Sequence, residues 1–270
     1  MTLLAEPPYS CLRTPQPLTI DGRLDEPAWA RAPRSPRFVD LVSAAPGLYD
    51  TRAAALWDDD YLYVGFWVEE PWPRAALTER DALIFLENDV EVFIDGGDCY
   101  YEFEINALGT IYEVFFIWKE SYSAGSHFDR PEFDLIEAGA ISFGGNHDRD
   151  GNFFWRGSHP RGLRWAFRNW DFPGLKSAVH VDGILNSTAT PSRGWTVELA
   201  FPWAGMGPLA HGRALPPNPG DEWRIFFGRY QQLPIAGTNH TIGWSWHPIG
   251  SGDNHVPERF TPIRFVAETV

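Results

Sequence analysis

Four polar side chains alternate along two neighbouring extended runs of the sequence, where they could bind hydroxyl groups or move protons. Glu91 lies in the first run, and Glu102, Glu104 and Asn106 lie in the second. Because successive side chains of a strand point to opposite faces, pairing of the two runs would place all four on one open sheet face. Carboxylates on such a face can accept hydrogen bonds from sugar hydroxyls. Crowded carboxylates also raise one another's pKa, as in the acid–base pair of a glycosidase, and an ordinary solvated face is the third interpretation.

Arg229 and the aromatic residues could add to such a site. Arg229 lies in a predicted strand, where its guanidinium could donate to sugar oxygens or a uronic acid, or could simply balance charge. The chain contains 13 Trp. Their rings could fill the core of a large β-protein or form flat platforms for the apolar faces of sugar rings.

Aspartate-rich turns are candidate calcium sites. Either Asp58, Asp59 and Asp60 together, or Asp95 with Asp98, could supply oxygen ligands, and the alternative for both is a capped β-turn. Calcium is therefore the candidate cofactor, and the sequence assigns no other.

The histidines and cysteines form no motif that carries chemistry. No histidine pair has the spacing of a helical zinc motif, so we expect surface histidines at the following positions: His127, His147, His159, His240, His247 and His255. Cys11 and Cys99 are too few for a disulfide scaffold or a cysteine zinc site, and they could either pair or remain buried thiols. No phosphate-binding loop, nucleophile elbow or dinucleotide fingerprint is present.

The elements that must position these residues are mainly strands. Alternating or β-branched runs separated by turn residues predict the following strands: 51–57, 61–69, 90–95, 100–106, 111–118, 178–181, 195–200, 223–230 and 262–266. Helical signals are limited to 28–31 and a turn over 202–206. Many short strands without strand–helix alternation favour an all-β, two-sheet antiparallel β-sandwich of the jelly-roll type, with short helices.

One long stretch lacks this pattern. Residues 119–168 are rich in Gly, Ser, His, Asp, Phe and Trp without a clear period, which is typical of a functional or mobile loop. Neither a linker nor an internal repeat divides the chain, so we predict a single domain over 1–270 with an inserted loop at about 119–168.

Charge and hydropathy limit the partners. The formal net charge is −14, and an acidic surface repels nucleic acid and anionic membranes. The sequence contains no apolar run long enough to span a bilayer, and the first ten residues do not form a signal peptide. We therefore expect no nucleic-acid or membrane partner. The location would be cytoplasmic if the chain is complete and extracytoplasmic if a leader has been removed. The oligomeric state is left open.

Six segments resemble, in order and spacing, the family nine carbohydrate-binding modules. The segments are 20–29 (IDGRLDEPAW), 55–64 (ALWDDDYLYV), 88–95 (NDVEVFID), 100–110 (YYEFEINALGT), 194–203 (GWTVELAFPW) and 257–260 (PERF). The resemblance extends over nearly the whole chain. It implies a β-sandwich that binds glycan ends without catalysis, and structural calcium in some members.

The family's binding residues carry over only in part. The resemblance matches the family's sugar-contacting glutamate to Glu91 and puts Glu104 where the family has an arginine. The two tryptophans that clamp the sugar correspond to Phe85 and to a position near Asn254, so Trp155 or Trp165 of the inserted loop could replace them. We predict a ligand site composed of Glu91, Glu104, Arg229, Phe85, Trp244 and His255.

The leading functional prediction is non-catalytic carbohydrate binding. The alternative is a glycoside hydrolase or lyase that uses Glu91 and Glu104 as paired carboxylates, and a third is a scaffold whose sugar site has decayed.

Overall fold

The alternating runs form a large mixed β-sheet in a computed structural model, which describes residues 7–144, 159–235 and 237–270. The strands are β1 (Tyr9–Arg13), β2 (Val39–Asp40), β3 (Thr51–Trp57), β4 (Tyr61–Glu69), β5 (Asp89–Asp95), β6 (Cys99–Asn106), β7 (Ile111–Trp118), β8 (Ile141–Phe143), β9 (Arg164–Phe167), β10 (Lys176–Asp182), β11 (Gly194–Pro202), β12 (Glu222–Ile235), β13 (Thr238–Ser245) and β14 (Thr261–Thr269). The α-helices are α1 (Pro27–Arg31) and α2 (Gly207–Ala210), and short 3-10 helices cover Ile84–Leu86, Lys119–Ser121, Pro131–Phe133, Trp203–Gly205 and Pro257–Arg259.

The strand order folds this sheet into two layers. Neighbouring strands run β10-β11-β4-β3-β1-β14-β12-β5-β6-β7-β9-β8, with β13 paired to β12 and β2. Most pairs are antiparallel, but β1 is parallel to both β3 and β14 and joins the two layers. Phe66 of β4 lies 6.2 Å from Phe227 of β12, and Phe201 of β11 lies 5.7 Å from Phe103 of β6, measured between ring centroids. The two layers therefore pack face to face as a β-sandwich, which confirms the predicted fold class.

The sandwich core is built from the apolar alternation that the sequence displays. Val64 and Phe66 of β4, and Val92, Phe103 and Ile105 of β5 and β6, are fully buried between the layers. Burial of this kind of side chain contributes about 1.5–3 kcal/mol each relative to exposure, so the period-2 pattern fixes which face of each strand turns inward.

A buried glutamate joins two of the six segments that carry the family resemblance, 20–29 and 194–203. Glu198 of β11 accepts hydrogen bonds from the indole of Trp29 (2.8 Å) and from the backbone N–H groups of Asp21 and Gly22 (3.0 and 3.1 Å). Gly22 has φ +85°, and a Cβ there would lie 2.7 Å from the backbone of Val179. The Ile20–Trp29 segment is therefore a structural anchor of the outer face of β11, and only glycine fits at its turn.

The stretch 119–168 contains more regular structure than its composition indicates. Within its described parts, β9 pairs with β7, and β8 pairs with β9, so the sheet continues beyond β7. β1 and β13 also went unpredicted. They contain few of the alternating large apolar residues on which the strand prediction depended.

Cys11 and Cys99 are both buried free thiols. Among the residues that the structure describes, no helix combines the length and apolarity needed to cross a bilayer.

Candidate functional site

Four carboxylates meet on the outer face of β5 and β6, and we call them the acidic network: Asp89, Glu91, Glu102 and Glu104. Glu91 stands directly opposite Glu104 in the antiparallel register. Asp89, Glu91 and Glu104 each bring one carboxylate oxygen within 4.8 Å of the others. The predicted grouping on one face is therefore present, since alternation along two paired strands leaves no other arrangement.

This face is not open, which corrects the expectation of a solvent-accessible sheet surface. The four carboxylates are only 0–6% exposed. A second apolar cluster covers them, formed by Phe93, Tyr112 and Phe116 of the sheet with Ile249, Val256 and Phe260 of the C-terminal segment. The alternation of polar and apolar residues predicts the face of the sheet to which each side chain points. It does not predict whether a segment distant in sequence covers that face.

Burial changes the protonation of the network. The pKa of Glu104 is raised well above its ordinary value, first by burial and then by the negative charges of Glu91, Glu102 and Asp89. Burial also raises the pKa of Asp89, although the backbone N–H of Tyr230 and the charge of Arg229 oppose that change. Like charges in a poorly solvated place favour the neutral acid, so the network retains protons at pH values where an exposed glutamate has lost its own.

The C-terminal segment supplies hydrogen-bond partners to the network. Asn254 donates from Nδ2 to Oε2 of Glu91 at 2.6 Å. His255 Nδ1 lies 3.1 Å from the hydroxyl of Tyr100, which accepts a hydrogen bond from Nε of the buried Arg164 at 3.0 Å. These bonds hold the segment against the sheet.

Two of the six predicted site residues lie on the opposite face of the sheet. Arg229 stands opposite Val90 in the β5–β12 register and opposite Trp244 in the β12–β13 register, so all three turn into the sandwich. Arg229 is fully buried and donates to Oε2 of Glu70 at 3.0 Å, and burial lowers its pKa. Placing Arg229 and Trp244 beside Glu91 was wrong. Arg229 pairs with Val90, whose side chain points to the face opposite to that of its neighbour Glu91.

Glu70 is the centre of this inner polar cluster. It also accepts hydrogen bonds from the indole of Trp195 (2.8 Å) and from Nδ2 of Asn88 (2.5 Å). Arg229 therefore balances a buried charge, which is the structural alternative considered for it from the sequence.

Phe85 and His255 border the acidic network. The ring of Phe85 packs edge-on to Tyr112 at 5.5 Å, and Tyr112 stands opposite Glu104 in the β6–β7 register. His255 packs against Phe93 (5.4 Å) and Phe116 (5.2 Å). Half-buried Phe85 is thus an aromatic surface at the edge of the network.

The tryptophans proposed as replacements do not complete the site. Trp165 stands opposite Ile117, a core residue, and its ring lies 3.7 Å from the amine of Lys119 on the inner side of β7 and β9. Trp155 lies outside the described residues, as does His147.

The aspartate turns have the geometry of capped β-turns. Asp58 accepts hydrogen bonds from the backbone N–H groups of Asp60 and Tyr61 (both 2.8 Å) and from the hydroxyl of Tyr63 (2.7 Å). Asp95 accepts one from the N–H of Gly97 at 2.8 Å. Among the described residues, two groupings have metal-ligand spacing: Asp89, Glu91 and Glu104 of the acidic network, and Asp98 with His127 and His211, so Asp98 is the one aspartate of the predicted turns that belongs to such a grouping.

The sequence analysis did not identify two residues that belong to groupings with metal-ligand spacing, one in the acidic network and one beside Asp98. Asp89 belongs to the acidic network, and its alternation with Glu91 could have revealed it had the strand been started one residue earlier. His211 lies beside Asp98, with which it has no sequence relation.

A solvent-accessible groove lies on the outer face of the other layer. Arg52, Trp67, Thr196 and His180 form a row across β3, β4, β11 and β10 in direct register. The groove has a volume of about 390 Å³, and the guanidinium of Arg34 lies 3.9 Å from the Trp67 ring centroid. Half-buried Trp67 is an aromatic surface that faces solvent here.

The two-layer architecture and its strand order define a β-sandwich. No protein-family model and no curated protein matches the chain. Among solved structures, the chain is similar to a family nine carbohydrate-binding module from Caldicellulosiruptor kristjanssonii in complex with cellotriose, at 13% identity and TM-score 0.50, covering 96% of this chain and 93% of that one. The chain is also similar to a family nine carbohydrate-binding module from the same organism in complex with glucose, at 13% identity and TM-score 0.50, covering 95% of this chain and 94% of that one.

A third similar structure is a candidate carbohydrate-binding protein from Bacteroides uniformis. It has 16% identity and TM-score 0.53, covering 95% of this chain and 97% of that one. The chain therefore has the fold of the family nine carbohydrate-binding modules, and the resemblance read from the six sequence segments is confirmed at the level of the fold.

Proposed function

We propose that this protein binds carbohydrate without cleaving it, and that the acidic network with Phe85 holds a sugar end in place of the Asn254 amide. The observation that carries the proposal is the hydrogen bond from Asn254 to Glu91 in a sandwich of this fold. An amide N–H donating to a buried carboxylate occupies the position that a sugar hydroxyl would take. The complexes of the similar module with glucose and cellotriose support a saccharide as the ligand class.

Ligand entry in this proposal exchanges one set of hydrogen bonds for another. A hydroxyl pair replaces the Asn254 amide on Glu91 while Glu104 accepts a further hydroxyl, and the edge of the sugar ring contacts Phe85. Hydrogen bonds to charged groups contribute about 1.5–3 kcal/mol each, so two such contacts outweigh the single bond that is displaced. The low polarity around the buried carboxylates strengthens these bonds.

A glycoside hydrolase is the second candidate, and one observation favours it. Oxygens of Glu91 and Glu104 lie within 4.8 Å of each other, and the pKa of Glu104 is raised. A retaining glycosidase uses carboxyl groups about 5–5.5 Å apart, one of them protonated as the general acid. Binding is the first candidate because the similar solved structures are carbohydrate-binding modules in complex with cellotriose and glucose.

The test is a glycan-array screen followed by calorimetry on the best ligand, with reducing-sugar release assayed in the same samples. Glu91→Gln keeps the shape and removes the charge, so we expect affinity to fall about ten-fold or more. Asn254→Ala removes the internal competitor and should raise affinity. Glu268→Gln, an exposed change on β14, is the matched control. In a hydrolase, Glu91→Gln would instead abolish sugar release and leave affinity largely intact.

Wild-type affinity in both Glu91→Gln and Glu104→Gln would contradict the proposed site. The groove with Trp67 would then be the next surface to test, through Trp67→Ala.

A further inference from the structure

Three metal-ligating side chains from distant parts of the chain meet at one end of the sandwich. Oδ2 of Asp98 lies 2.6 Å from Nε2 of His127 and 3.0 Å from Nδ1 of His211. The three donor atoms lie within 4.8 Å of one another. Asp98 is in the turn between β5 and β6, His127 follows β7, and His211 follows α2. This cluster is separate from the acidic network, since Asp98 is beyond the opposite end of β5 from Asp89.

Each donor is held by a buried neighbour. Cys99, Phe128 and Leu209 are fully buried and lie within two residues of Asp98, His127 and His211, respectively. Phe128 packs against Phe133 at 5.6 Å. The backbone on which each ligand is mounted is therefore fixed by the core, and only the side chains remain to adjust.

Arg213 fixes the turn that presents His211. Its guanidinium donates to the carbonyl oxygens of Ala210 (2.9 Å), Leu209 (2.5 Å) and Asp95 (2.9 Å). These bonds join the end of α2 to the end of β5, beside the turn that contains Asp98. His211 itself adopts a left-handed conformation with φ +46°, uncommon outside glycine, which turns its ring toward Asp98.

We propose that Asp98, His127 and His211 form a binding site for a divalent transition-metal ion of the Zn²⁺ type. Two imidazole nitrogens and one carboxylate oxygen are ligands that such ions prefer, whereas Ca²⁺ takes oxygen ligands. Ligands at about 2.0–2.1 Å from a tetrahedral ion are about 3.3 Å apart, so the Asp98–His127 distance of 2.6 Å would lengthen by about 0.7 Å and the Asp98–His211 distance of 3.0 Å by about 0.3 Å.

Solvent can complete the coordination of this ion. The side chains of His127 and His211 are 37% and 57% exposed, and that of Asp98 is 14% exposed. Three protein ligands and an open side leave at least one position for water. The ion would join the 119–168 stretch, through His127, to the core strands of the sandwich.

The test is calorimetric titration of chelator-treated protein with ZnCl₂, alongside CaCl₂. We expect one Zn²⁺ per chain with micromolar or tighter affinity, a rise in melting temperature on Zn²⁺ addition, and no calcium binding at these residues. His127→Ala and His211→Ala should each weaken Zn²⁺ binding by about ten-fold or more. His240→Ala removes an exposed histidine on β13 and serves as the matched control.

Because His127 and His211 are exposed, both variants should keep the metal-free melting temperature of the wild type. Co²⁺ substitution adds a second measurement, since a tetrahedral Co²⁺ spectrum that is lost in both variants would locate the ion. Absence of stoichiometric Zn²⁺ binding by the wild type would overturn the proposal. So would Zn²⁺ binding that both variants retain at wild-type affinity.

Discussion

Glu104→Gln should make the protein more stable at neutral pH, which is unusual for a substitution in a buried site. Glu104 is 2% exposed and stands opposite Glu91, with carboxylate oxygens of Asp89, Glu91 and Glu104 within 4.8 Å of one another. The substitution keeps the size and hydrogen-bonding capacity of the side chain and removes its ionisation. It therefore isolates the cost of a like charge in this network.

The magnitude follows from the separation of the charges. Two ionised carboxylates at that distance repel by about 3 kcal/mol at an effective dielectric constant of about 20. Proton uptake by the network relieves part of this repulsion, so we expect the free energy of unfolding at about pH 7.5 to rise by about 1–3 kcal/mol.

The pH dependence provides the sharper signature. Because the pKa of Glu104 is raised in the folded state, the folded protein holds more protons than the unfolded chain between the ordinary glutamate value, about 4.3, and the folded value. Stability from this group is therefore fully present below the ordinary value and is lost as pH rises through the folded value. Glu104→Gln should flatten this decline, and the two proteins should converge near pH 4.5.

The assay is urea unfolding followed by tryptophan fluorescence, in chelator, at several pH values between about 4.5 and 8. Glu268→Gln, on the exposed end of β14, should change the unfolding free energy by less than about 0.5 kcal/mol at every pH. A lower stability of Glu104→Gln at neutral pH, with an unchanged pH dependence, would refute the reasoning. It would mean that the ionised carboxylate gains more from its surroundings than it loses to burial and repulsion.

Three further substitutions test the fold. Phe103→Ala removes a fully buried ring that packs 5.7 Å from Phe201, so the unfolding free energy in urea should fall by about 3–5 kcal/mol, and a loss below about 1 kcal/mol would contradict the described core. Glu70→Ala leaves the buried Arg229 without its carboxylate partner and should lower the unfolding free energy by about 3–5 kcal/mol in the same assay. A double variant with leucine at positions 70 and 229 should recover most of that loss. An equally unstable double variant would count against an uncompensated charge as the cause. Asp58→Ala removes three turn hydrogen bonds and should lower stability by about 1–3 kcal/mol whether or not calcium is present; a loss seen only with calcium would favour a metal site at that turn.

The strands of the sandwich could be predicted because their information is local. Runs such as Thr51–Trp57 and Tyr61–Glu69 are largely apolar stretches separated by an aspartate-rich turn, and they appear in the structure with the predicted bounds. β13 could not be found in this way, because its first four side chains lie exposed and no apolar face marks the strand. Its position depends on pairing with β12, which the sequence of β13 does not encode by itself.

The sequence by itself determined which side chains share a face of a strand. It placed Glu91 with Glu104, and Val92 with Phe103, because side-chain direction in a strand has a period of two residues. Only the tertiary structure decided what each face meets. The segment around Val256 and Phe260 covers the acidic network, Arg229 turns to Glu70, and His211 comes to Asp98. Such contacts join residues that are far apart in the chain, so no local periodicity records them; they depend on how the layers and loops close over the core.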